Sequence, residues 1–186
     1  KAQMNINGAI HDFDYTALKK SSDKYAEVMS ADGLGEMREV YNGRSHLTQT
    51  DFGHVQEMPL PESIDVSKLG LLAHIRLFAE SGSLASLKYM GTYTRDGRKV
   101  HLIDGKGVSG TSLAFTFDVE TKMLTYLTGP VYGMVLGDYR KVGDLTLPFA
   151  IERESLMRLR IDSIKVNQPI DDAKFARKKN CYDIPN

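Results

Sequence analysis

The sequence contains no tryptophan, a single cysteine and no net charge, and every apolar stretch is broken by a charged residue within a few positions. Each absence removes a class of protein. With Cys181 alone an internal disulfide is excluded, and the residue is read as a bystander near the chain end, because a reactive thiol needs a setting that lowers its pKa. Lys plus Arg and Asp plus Glu are both 24, so no overall field draws a polyanion and nucleic acid is not an expected partner. The apolar runs fall far short of the roughly 20 residues a membrane-spanning helix needs. The first ten residues, KAQMNINGAI, have no charged, apolar and small-residue succession of an export signal and read as a strand already under way.

What is present is ordinary globular composition: 186 residues, 41% hydrophobic and 26% charged, the size of one domain spanning residues 1–186. Most of it moves in short alternating runs between turn residues, the mark of an antiparallel sheet with one wet face. Residues 14–43 hold three such runs, broken at Ser22-Asp23 and at 32–35 and closed by Asn42-Gly43, a strong hairpin signal. RSHLTQTD is the next strand. After residue 83 strands resume as LKYMGTYTRDG, RKVHLIDGKG, TSLAFTFDVETKMLTYLTG, VYGMVLGDYRKVGD, LTLPFAIERE and LMRLRIDSIKVN. In the last, Arg158 and Arg160 alternate with Met157, Leu159 and Ile161, giving one charged and one apolar face. Asp171 or Asp172 caps a short terminal helix in PIDDAKFAR.

One segment departs from this period. In PLPESIDVSKLGLLAHIRLFAESGS, Leu71, Leu72, Ile75, Phe78 and Ala79 recur at helical spacing, with Pro61, Glu62 and Asp65 suited to the start and Ser-Gly-Ser at 81–83 to the end. The expected fold class is therefore mainly β (α+β), a large curved antiparallel sheet with a long helix laid over one face, since an apolar sheet face must be buried.

Signals for chemistry are weak. GKGVSG at 105–110 matches the dinucleotide loop pattern G-x-G-x-x-G letter for letter, yet it leads into the alternating TSLAFTFD and not into a helix, so it reads as a hairpin connection. The histidines at 11, 46, 54, 74 and 101 have neither H-E-x-x-H spacing nor cysteine partners, which gives a metal site no support; His74 alone lies on the helix. Glu152 and Glu154 share a strand face, as solvent-side acids commonly do. No nucleophile elbow occurs. No catalytic residue, metal or cofactor is expected. Eight Met, nine Tyr and seven Phe remain, soft side chains that fill an irregular core or line a pocket for lipid-like ligands.

The stretch LGDYRKVGDLTLPFAIERE, followed by LRIDSIKVNQPIDDAKFARK, is similar to the C-terminal half of lipoprotein-carrier proteins of the LolA/LolB superfamily. TFDVETKMLTYL and GEMREVYNGRSHLTQ resemble earlier parts of the same proteins, so the likeness covers roughly residues 24–180. It implies a half-open antiparallel barrel whose concave side is plugged by a helix. It also implies an exported protein, periplasmic or membrane-anchored facing the periplasm. The family's N-terminal helix has no counterpart before the first strand of this sequence. Pro148 is expected to open a strand after a turn at Gly143-Asp144, with Tyr139 and Arg140 closing the strand before it.

The expected function is that of a non-enzymatic envelope protein holding an apolar ligand, an acyl chain or a lipidated peptide, between sheet and helix, with lipoprotein sorting as its setting. Alternation and helical period select Leu72, Ile75, Phe78, Phe115, Phe117, Tyr126, Leu159 and Ile161 as its lining. The alternative is an envelope protein-interaction or stress-sensing domain resembling RseB, with a protein partner and no lipid cargo.

Overall fold

The computed structural model describes residues 1–20, 24–42, 44–51, 54–59, 84–107, 110, 112–129, 133–153 and 156–178. Among them are thirteen strands, all antiparallel where paired, and one 3-10 turn near the C-terminal end. The mainly β expectation is met. The covering helix has no counterpart among the described residues, because its segment, with Leu72, Ile75, Phe78 and His74, lies outside them. Cys181 lies outside them too.

The chain divides into two compact units. The first, Lys1–Ile10 with Ile75–Val166, holds β1 (Ala2–Ile6), β7 (Leu84–Arg95), β8 (Arg98–Gly107), β9 (Ser112–Asp118), β10 (Leu124–Thr128), β11 (Gly133–Val142), β12 (Leu145–Arg153) and β13 (Met157–Arg160). Their order is β1-β13-β12-β11-β10-β9-β8-β7, a meander apart from β1, which pairs with the last strand. Turn chemistry explains the meander. Asp96 (φ 49°) and Gly97 (φ 76°) supply the two positive φ angles of the β7–β8 hairpin. Asp118 caps the β9–β10 turn, its Oδ1 accepting from the Thr121 amide (2.7 Å), the Glu120 amide (3.0 Å) and the Thr121 hydroxyl (3.0 Å). GKGVSG is indeed a strand end and a connection: β8 closes at Gly107, whose carbonyl accepts from Gly110 N at 2.9 Å before β9 begins.

The second unit, His11–His74 with Asn167–Asn186, holds β2 (Ala9–Lys20, entered from the first unit), β3 (Lys24–Ala31), β4 (Gly35–Asn42), β5 (Ser45–Thr50) and β6 (Val55–Pro59), in the order β6-β5-β4-β3-β2. Asn42 Oδ1 accepts from the amides of Arg44 and Ser45, both at 2.9 Å, and so turns β4 into β5. Ala26, Val40 and Leu47 form a buried cluster closed by Phe175 of the 3-10 turn Asp172–Phe175, which Asp171 caps by accepting from Ala173 N at 3.0 Å.

Two expectations are corrected. Pro148 stands fourth in β12 rather than at its mouth, and Tyr139 and Arg140 lie inside β11, with Tyr139 paired to the proline. Asp138 at φ 50° breaks the regular backbone of β11 one residue before that pair, so the missing N–H falls where the ladder is already distorted. The strand expected over LMRLRIDSIKVN ends at Arg160.

Candidate functional site

The first unit's sheet has one apolar face, and its register lines that face up in rows. One row crosses all eight strands: Tyr89 opposes Ile103, Ile103 opposes Phe115, Phe115 opposes Leu127, Leu127 opposes Met134, Met134 opposes Arg153, Arg153 opposes Met157, and Met157 opposes Met4. A second row runs Leu136, Ile151, Leu159, Ala2. Phe115, Leu127, Met134, Ile151 and Leu159 are each 1% exposed. Burial of each such side chain contributes about 1.5–3 kcal/mol. Met157 and Leu159 are buried while Arg158 and Arg160 are exposed, the alternation that marked this strand in the sequence.

Of the expected lining, Phe115 and Leu159 are in these rows. Phe117 lies two residues along β9 on the same face, half-buried, opposite His101 and Leu124. Ile161 follows the end of β13, two residues beyond Leu159, its amide donating to the Phe149 carbonyl at 2.9 Å. Tyr126 is on the other face: a register shift between Leu124 and Tyr126 puts Tyr126 opposite Thr116 and Leu127 opposite Phe115. There the Arg95 guanidinium stacks over the Tyr126 ring, 3.7 Å from its centroid. Met4 and Met134 were not singled out from the sequence, although the alternation in YGMVLG carried the signal for Met134.

The row reaches an open pocket at its β1–β13 end. Gln3, Met4, Asn5, Ile10, Leu156, Met157 and Arg158 line about 190 Å³, and Ile10 is 70% exposed. At the opposite end Tyr89 is exposed, its hydroxyl 3.0 Å from both His101 Nδ1 and Thr92 Oγ1. Between them the Tyr139 hydroxyl donates to the Leu124 carbonyl at 2.6 Å, and burial pushes its pKa up to about 12.

The most concentrated polar chemistry is in the second unit. Glu39 Oε1 accepts from the Tyr25 hydroxyl at 2.7 Å and meets His46 Nε2 at 2.8 Å; His46 is thus a satisfied buried histidine. Glu27 stands directly across the strands from Glu39. Burial first, and the Glu27 charge next, hold the Tyr15 hydroxyl well above its ordinary pKa. Among the described residues no three or more His, Cys, Asp or Glu side chains group to hold a metal, and no helix is long and apolar enough to cross a membrane.

No family model matches the chain, and no curated protein matches it in sequence. Solved structures do. A LolA superfamily protein from Nitrosomonas europaea superposes over 95% of this chain and 87% of its own at a TM-score of 0.65 and 12% identity. The fold is LolA-like. A lipoprotein-sorting protein domain of the outer membrane, described as putative, from Vibrio parahaemolyticus covers 94% of this chain and 85% of its own (TM-score 0.57, 8% identity). A DUF1329 family protein from Desulfovibrio piger covers 94% and 86% (0.55, 12%). At such identities the likeness is one of fold, and the LolA-like sheet is what it shares with these proteins.

Proposed function

We propose that the protein is a non-enzymatic binding protein of the bacterial envelope, and that it seats an apolar ligand, an acyl chain or lipidated peptide, on the apolar face of the first unit. The observation that carries this reading is the row from Ile103 to Met4, in which Phe115, Leu127 and Met134 stand in direct cross-strand register and Met157 and Met4 continue the row beyond Arg153. Thioether side chains repack around ligands of variable shape. The likeness to a domain named for lipoprotein sorting supports the cargo class and an exported location. Phe115, Phe117, Leu159 and Ile161 contact the ligand; Leu72, Ile75 and Phe78, expected to join them, lie outside the described residues. Tyr126, on the reverse face, is not part of the site.

Native mass spectrometry of the protein purified gently from its own host, with organic extraction of what co-purifies, tests this. A stoichiometric lipid or lipopeptide is expected. A protein that is empty, and that takes up no acylated probe on titration, overturns the reading.

A second reading rests on the edge strand β7, which exposes Leu87, Tyr89, Met90 and Tyr93 and pairs only with β8 among the described strands. Such an edge accepts a partner's strand. Recovery of one specific protein in the absence of lipid favours it.

A further inference from the structure

The C-terminal strap of the second unit, residues 167–178, has the contacts of a bound peptide. It adds no strand to the sheet, and side chains on β2, β3, β4 and β5 hold it. Lys20 Nζ donates to the Ile170 carbonyl at 2.9 Å. Asp172 Oδ1 lies 2.8 Å from Lys20 Nζ and 3.3 Å from Lys24 Nζ. Phe175, 2% exposed, fills the space between Ala26, Val40 and Leu47. Arg38 donates to the Lys174 carbonyl. Gln49 brackets Lys178, its Nε2 donating to the carbonyl at 2.9 Å and its Oε1 accepting from the amide at 3.2 Å. Lys178 Nζ reaches Glu36 Oε1 at 2.5 Å.

Three anchors of the strap recur every third residue, acid 172, aromatic 175 and base 178, and Ile170 packs against the same apolar cluster as the aromatic. Each meets a complementary seat, a lysine pair, an apolar cluster and a glutamate. Arg38 and Gln49 stand opposite each other in register and read the strap's backbone. The fit is incomplete. Arg38 is 6% exposed and its Nε has no hydrogen-bond partner among the described residues, so the strap leaves part of a buried guanidinium unmet there. An occupant that forms no described strand and is held by side chains of the sheet can give way to a like segment.

We propose that this face of β2–β5 is a docking site for a partner protein's extended segment of the pattern Asp-x-x-Phe-x-x-Lys, and that the chain's own strap occupies it in cis until such a segment displaces it. Tethering places the strap at an effective concentration on the order of millimolar, so a free segment competes poorly until the strap is weakened. The site is independent of the apolar face of the first unit, and either can fail without the other.

The test uses the full chain and a fluorescent peptide of sequence NQPIDDAKFARK. The Phe175→Ala chain, with its near-ultraviolet circular dichroism retained, is expected to bind this peptide about ten-fold or more tighter than the unaltered chain does, and about ten-fold or more tighter than it binds the same peptide with its Phe replaced by Ala. Where Phe175→Ala does not fold, the Asp172→Asn chain, which keeps the aromatic anchor, serves in its place. On the unaltered chain, saturating peptide is expected to speed hydrogen exchange at the amides of Lys174, Ala176 and Lys178. Absence of binding to a folded strap-weakened chain, equal affinity for the two peptides, or unchanged exchange overturns the proposal.

Discussion

The ring of Phe115 occupies the space that a side chain on Gly105 would need: a Cβ built there stands 2.7 Å from Phe115 Cε2 and 3.3 Å from Leu87 Cδ2. Gly105 opposes Leu113 and Leu87 in the ladder, so neither strand moves away cheaply. Gly105→Ala is expected to cost about 1–3 kcal/mol by overpacking. Phe115→Leu in the same chain should recover part of that loss, although alone it destabilises. Thermal unfolding of the four chains of this double-mutant cycle measures the coupling; strictly additive losses would show that the contact is not the cause.

Asp118 makes the acid side of the stability profile readable. Its hydrogen bonds from Thr121, then from Glu120, hold its carboxyl below the ordinary carboxylate value. A lowered folded pKa means stability that is present above the unfolded value near 3.9 and is lost as pH falls through the folded one. Asp118→Asn should therefore lower the melting temperature at pH 7 and flatten its decline below pH 4. A parallel downward shift at every pH contradicts this.

The alkaline side has the opposite sign. The Tyr139 pKa is raised from 10.0 to about 12, so between those values the unfolded chain has released a proton that the folded chain keeps. Stability is complete below pH 10 and falls as pH rises toward 12. Tyr15, raised further by burial, adds to the decline over the same window. Tyr139→Phe is expected to soften the fall while lowering stability at pH 7, because the hydrogen bond to the Leu124 carbonyl is lost. Urea unfolding at a series of pH values checks it, and an unaltered alkaline slope counts against this origin.

Strands were the legible part of this chain because their information is local. Alternation in MRLR lies within four residues and is found as read. The pairing of β1 with β13 is not local: Ala2 meets Leu159, and no short-range pattern encodes that partner. Facing failed where one residue was inserted. The shift between Leu124 and Tyr126 moves Tyr126 to the reverse of the sheet, although its spacing from neighbouring apolar residues is that of a lining position. Pro148 misled for a similar reason, since the distortion that accommodates it comes from Asp138 on the partner strand. Arg153, between Met134 and Met157 in the apolar row, looks in sequence like one more solvent-side charge.

The absence of tryptophan makes the proposed apolar site accessible to a clean reporter. Phe117 and Tyr126 are close in the ladder, near Leu124, yet they face opposite ways, and both are half-buried. Phe117→Trp places an indole on the apolar face beside Phe115. Tyr126→Trp places one on the reverse face under Arg95. An acylated peptide that seats on the apolar face excludes water from the first indole and not from the second, so emission should shift to the blue for Trp at 117 and stay fixed at 126. A shift in both reports a change in the whole domain and not occupation of one face. A shift at 126 alone moves the ligand to the reverse of the sheet, where Arg95, Arg158 and Arg160 would meet an anionic head group, and the row of methionines would then be core and nothing more.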